Sequence, residues 1–173
     1  DNISNSVGFT GSVFRGVPAQ EFTIAVYVSR RNSNLAAEIK SERKNLPFVL
    51  LTHFSKEVYR RLANMDTSSI DYMFSWHGNA DLIVAIIKLF EDLKNADNDI
   101  LGVGVQAILL VEDSVRYYST YLPELYKMII KQSSEFLKET LNVRQRKLRK
   151  RSRPKILLAT NLDDAMAMYE KYK

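Results

Sequence analysis

A chain of 173 residues fits one domain, or one domain and a piece of another, and an apolar content of 46% with 26% charged residues is an ordinary globular balance. It contains no cysteine, which excludes disulfides and thiolate metal sites; with no secretory signal, the cytosol is the expected compartment, and the apolar runs fall far short of the ~18 residues a membrane helix needs. The net charge of +5 is concentrated rather than spread, because eight Lys/Arg fall between Arg144 and Lys155, so the global charge says little about partners.

Residues 1–20 are rich in Gly, Ser and Asn and are expected to be loop or poorly ordered. Phe22–Val28 is β-branched and aromatic and predicts a strand. Asn34 is placed to cap a helix from Leu35 to Lys44, which Asn45-Leu-Pro ends. Phe48–Thr52 predicts a second strand. Ser55 can cap a helix with Val58, Tyr59 and Leu62 at helical spacing. Ile70–Phe74 predicts a third strand. Asn79 can cap a long helix whose stripe is Leu82, Ile83, Ile86, Leu89, Phe90 and Leu93, and the polar stretch Asn95–Asp99 closes this part.

The second part opens on Ile108-Leu-Leu-Val-Glu-Asp113, an apolar run leading straight into two carboxylates. Such a run fits a strand buried on both faces of a parallel sheet, with the acidic pair at the carboxyl end where open α/β sheets place their sites. A helical region of unusual length follows, about 115–150. Tyr118, Leu122, Leu125, Ile129 and Phe136 mark its inner side, and Pro123 within it should kink it unless the helix restarts there. Lys155–Thr160 predicts a strand. Asn161 can cap a last helix with Ala165, Met168 and Tyr169 inward. Strands alternating with helices predict a parallel α/β sheet covered on both faces.

Several segments are more specific. Leu50-Leu-Thr-His53, Asp71-Tyr-Met-Phe-Ser-Trp76, Ala80-Asp-Leu-Ile-Val-Ala-Ile-Ile-Lys88, Gly104-Val-Gln-Ala-Ile-Leu-Leu-Val-Glu-Asp-Ser-Val-Arg-Tyr-Tyr118 and Arg153-Pro-Lys-Ile-Leu-Leu-Ala-Thr160 carry a resemblance. They resemble the tandem receiver-like (response-regulator-like) region of bacterial proteins similar to pyruvate, phosphate dikinase and phosphoenolpyruvate synthase. The resemblance covers most of residues 34–172. It implies a back half of one receiver over 21–99 and the front half of a second over 100–173. It implies Glu112 and Asp113 as a weak Mg²⁺ site and Thr52 as the switch hydroxyl. It also implies a flavodoxin-like sheet of five parallel strands. With these strands the chain order would be permuted, Phe22–Val28 lying beside Ile108–Asp113, and Glu112-Asp113 coming near Ser29 and Thr52.

The departures from a working receiver are as specific. The candidate third strand runs into Ser29-Arg30-Arg31 with no phosphoryl-accepting Asp, and the fifth-strand end reads Phe74-Ser75-Trp76-His77 with no Lys. The expected function is therefore a non-catalytic regulatory or interaction module, its partners being other domains of a parent protein or a second copy meeting the long helix. The alternatives are a phosphoacceptor receiver in a Mg²⁺-dependent phosphorelay and a nucleic-acid-binding module.

Each sharp reading has a plain alternative. Glu112 or Asp113 can simply cap the next helix, and Thr52 can make a local strand-end hydrogen bond. Within the basic run, Arg146, Lys147, Arg149 and Lys150 are the candidate polyanion contacts. No aromatic residues interleave with them, so a stacking groove is disfavoured and a solvated helix end suffices. His53 and His77, without a third clear ligand, make a poor transition-metal site. Gly102 and Gly104 precede a strand, the wrong side for a phosphate cradle. Tyr117, Tyr118, Tyr121 and Tyr126 read as core and interface packing.

Overall fold

A computed structural model gives the architecture and describes residues 6–14, 19–28, 34–53, 67–138 and 153–173. It is a mixed α/β structure with parallel strands. The elements in chain order are β1 (Ser6–Phe14), β2 (Ala19–Val28), α1 (Asn34–Glu42), β3 (Phe48–Thr52), β4 (Tyr72–Ser75) and α2 (Ala80–Ala96). A π-helical segment (Asp97–Gly102), β5 (Ala107–Val111), α3 (Val115–Lys138), β6 (Lys155–Ala159) and α4 (Leu162–Tyr172) complete it. The expected helix with Val58, Tyr59 and Leu62 lies outside the described residues, as does the basic run up to residue 152. The chain divides into two compact units, Asp1–Ser12 with Glu21–Ala80, and Val13–Gln20 with Asp81–Lys173.

In the first unit the strands form one sheet in the order β1-β2-β3-β4. β2 and β3 are parallel, with Ala25 opposite Phe48 and Val28 opposite Leu51. β3 and β4 are parallel, with Val49 opposite Tyr72 and Thr52 opposite Ser75. β3 has a neighbour on each edge and is buried along its whole length. Its uninterrupted apolar sequence follows from that position, since a strand covered on both faces has no solvent face to keep polar. Asp71 fixes where β3 starts: its Oδ2 accepts from the Phe48 N–H at 2.6 Å and from Lys40 Nζ at 2.7 Å, while its own N–H donates to the Phe48 carbonyl at 3.0 Å.

The second unit holds a separate two-stranded parallel sheet, β5 with β6, in register from Ala107–Lys155 to Val111–Ala159. β6 is buried throughout, and α4 lies against both strands. Ala96, Ile100 and Leu157 form a core cluster with Leu93, Leu109, Met168 and Tyr172 packed on it. On α3 the inner face is Tyr118, Leu122, Tyr126 and Ile129, all buried, while Leu125 is half-buried. Gly104, at φ +78°, reverses the chain after the π segment. Its N–H donates to Ile100 O, and the Val105 N–H donates to Asp99 O. The left-handed conformation is open to glycine without a Cβ penalty, which is why one stands here.

Five expectations are corrected. Residues 1–20 are not all loop: Ser6–Phe14 is a strand, and its Val7, Phe9 and Val13 keep period two through the glycines. That strand decides the second correction. Phe22–Val28 and Ile108–Asp113 were expected side by side, but they lie in separate sheets, because β1 and β3 occupy the two edges of β2. Third, β5 is not buried on both faces. Its residues are exposed or half-buried, and among the described residues only β6 pairs with it. Fourth, Asn95–Asp99, expected as a polar stretch closing the first part, is the end of α2 and the start of a π segment whose Asp99 is buried. Fifth, Tyr169 points outward on α4, while Ala165 is buried and Met168 half-buried. Pro123 neither breaks nor restarts its helix; α3 runs through it from Val115 to Lys138.

Candidate functional site

At the carboxyl end of β3 and β4 the backbone register sets Thr52 directly opposite Ser75. Both are buried, and the Trp76 N–H closes the corner on the Thr52 carbonyl at 2.9 Å. The Ser75 hydroxyl is 2.8 Å from His77 Nε2, so the two share one hydrogen bond whose donor follows the imidazole tautomer. His77 and His53 are exposed. The side chain opposite Thr52 is thus a short neutral hydroxyl.

Glu112 and Asp113 follow β5 and precede α3. The Glu112 N–H extends the ladder to Ala159 O at 3.1 Å, which holds the pair at the carboxyl edge of the β5–β6 sheet. The Glu112 Oε1 accepts from the Ser114 N–H at 3.0 Å, and the Ser114 carbonyl receives the Tyr117 and Tyr118 N–H groups as α3 begins. Glu112 therefore satisfies a backbone donor at the positive end of a 24-residue helix. Asp113 is exposed. No three His, Asp or Glu side chains gather for a metal among the described residues. The two carboxylates meet only the minimum for Mg²⁺, which often takes one or two protein carboxylates and keeps several waters. Thr52 belongs to one compact unit and the acidic pair to the other.

The strongest electrostatic feature was not anticipated. Asp92 of α2 is fully buried and meets the Arg153 guanidinium at two points, Nη2 to Oδ1 at 2.6 Å and Nη1 to Oδ2 at 3.0 Å. The same carboxylate accepts from Tyr126 Oη at 2.9 Å and from the Ile156 N–H at 3.0 Å. Lys155, also buried, reaches Asp99 Oδ2 at 2.8 Å and lies 3.7 Å from Asp92 Oδ1. Burial works against the Arg153 charge, but its hydrogen bonds and attraction to Asp92 outweigh that and leave its pKa raised. Burial, then the Asp92 charge, push the Tyr126 phenol well above its usual value. The guanidinium also lies over the Tyr126 ring, 5.7 Å from its centroid.

This cluster joins α2, α3 and the start of β6 and is structural: its charges face each other, not solvent. One signal for it stands in the sequence. Asp92 lies on the same helical stripe as Ala85, Leu89 and Ala96, a carboxylate at an apolar period. Arg153 and Lys155 gave no such signal, because they end a run of solvent-type charges. Arg146, Lys147, Arg149 and Lys150, the candidate polyanion contacts, lie outside the described residues.

No helix among the described residues is long and apolar enough to cross a membrane. No protein-family model matches the chain, and no curated protein or solved structure shows significant similarity to it.

Proposed function

We propose that this chain is a non-catalytic, receiver-like regulatory and interaction module, of the kind attached to phosphoenolpyruvate synthase and dikinase-type proteins. In this reading β2, β3 and β4 correspond to the back three strands of a flavodoxin-like receiver sheet, and β5 and β6 to the front two of another. The observation that carries it is the Thr52–Ser75 pair. Thr52, the proposed switch hydroxyl, sits at the carboxyl edge of a parallel sheet opposite Ser75, whose hydroxyl is bonded to His77, and neither Phe48–His53 nor Tyr72–His77 contains a Lys or Arg to neutralise a phosphoryl group. Phosphoryl transfer depends on positioned cations and an in-line acceptor. The module would then signal by docking and shape, not by accepting phosphate.

Incubation with acetyl phosphate and Mg²⁺, followed by intact-mass measurement, tests this. The expected result is an unchanged mass, and an acid-labile adduct on a carboxylate would establish the working-phosphoacceptor reading instead. That second reading draws on the exposed Asp113 beside Glu112 at the end of β5. Of the basic run on which the nucleic-acid alternative draws, Arg153 and Lys155 are committed to Asp92 and Asp99.

A further inference from the structure

The outward face of α3 carries a stripe that the fold leaves uncovered. Tyr117, Tyr121, Glu124, Met128, Lys131 and Glu135 follow one another at alternating steps of four and three. That spacing averages 3.5 residues and keeps a seam straight along a helix pair. It lies opposite the buried face of Tyr118, Leu122, Tyr126 and Ile129. Its apolar members are well exposed, Tyr117 at 51%, Tyr121 at 45% and Met128 at 56%, and the two tyrosine rings stack on each other, 6.0 Å between centroids and 8° from parallel. Rings ordered in this way lose little further freedom when a partner covers them.

We propose that this stripe is a self-association surface on which two copies of the chain pair through α3, antiparallel, about a two-fold axis near position 126. The charges choose this arrangement. Parallel, in-register pairing sets Glu124 on Glu124, Lys131 on Lys131 and Glu135 on Glu135, three like-charge contacts. Antiparallel pairing about position 126 sets Tyr121 against Lys131, Glu124 against Met128 and Tyr117 against Glu135. Each tyrosine then meets the stem or the ammonium of a charged residue, and no like charges face each other. Arg116 falls beside Glu135 of the other copy, and Glu124 beside Lys127, opposite signs in both cases. A surface that becomes complementary to itself under a two-fold rotation is what an isologous dimer requires. Glu124 and Lys131 in the seam would fix register at some expense of affinity, as polar residues in helix seams do. This inference does not rest on the receiver-like reading.

Sedimentation equilibrium of the full chain from about 1 to 200 µM, a range that brackets micromolar association, tests it. The expected result is a monomer–dimer equilibrium. Tyr121→Lys with Met128→Glu puts like charges opposite each other and weakens it about tenfold or more, with the far-UV circular dichroism unchanged because both sites are exposed. Adding Glu124→Lys and Lys131→Glu restores it. Because the chain has no cysteine, single introduced thiols report orientation. A mixture of Glu124→Cys and Met128→Cys chains should join through a short bis-maleimide as heterodimers, while Tyr117→Cys, about 27 Å from its own copy at 1.5 Å per residue, should not join to itself. A monomer throughout the range, a dimer indifferent to the Lys/Glu pair, or efficient Tyr117→Cys self-linking would overturn the proposal. The thiol mapping decides the matter even if the charge variants fold poorly.

Discussion

Asp92 and Arg153, 61 residues apart in sequence, meet in a two-point ion pair inside the second unit. The pair seals more than its own charges. Asp92 also satisfies the Ile156 N–H and the Tyr126 hydroxyl, so one carboxylate anchors the start of β6 to two helices. Breaking a buried pair by removing one partner leaves an uncompensated charge, at about 3–5 kcal/mol. Asp92→Leu is expected to lose stability of that order in urea unfolding. Combining it with Arg153→Met should cost clearly less than the sum of the single changes, because no stranded guanidinium remains.

The Tyr126 phenol gives the fold an alkaline limit. Its pKa in the folded chain is raised above the reference value of 10.0 by burial and by Asp92. Below that reference both folded and unfolded forms hold the proton, and the contribution is complete. As pH rises past 10.0 the unfolded phenol ionises first, so stability falls until the folded phenol titrates too. Denaturant midpoints measured between pH 8 and 11 should therefore decline above pH 10. In Tyr126→Phe that part of the decline disappears, at a cost of about 1 kcal/mol at neutral pH from the lost hydrogen bond.

The basic run should divide into two classes. The sequence predicts Arg146, Lys147, Arg149 and Lys150 as solvated charges, so replacing them with Gln is expected to shift stability by no more than about 0.5 kcal/mol apiece. Arg153→Gln alone should cost several times that, since it strips Asp92 of its two-point partner. Thermal unfolding of the two variants side by side measures the contrast, and equal losses would show that the run acts as one solvated surface.

Asn161 begins α4 with extended backbone angles, and its Oδ1 accepts from the Asp164 N–H at 2.8 Å. Asn161→Ala should cost about 1 kcal/mol and Asn161→Gly only a few tenths, the usual order for N-caps. Guanidinium unfolding of the two variants distinguishes the lost cap from a general intolerance of change at the site.

The sequence by itself determined what depends on near neighbours. Phe48–Thr52 and Lys155–Ala159 announce themselves as strands by short apolar runs, Asn161 as a cap by its side chain, and the α3 core face by the spacing of Tyr118, Leu122 and Ile129. The acidic pair after β5 was legible as a strand-end feature, together with its plain role of receiving a backbone N–H, which Glu112 fulfils. Strand partnership was decided only by the tertiary structure. Ser6–Phe14, too rich in Gly and Ser to read as a strand, takes the edge of β2 that β5 was expected to fill, and hydrogen-bond ladders carry no address in composition. The status of Arg153 and Lys155 was decided there too. In sequence they are two more cations in a basic run; in the fold they lie against Asp92 and Asp99, because a buried charge persists only where the chain brings its opposite to it.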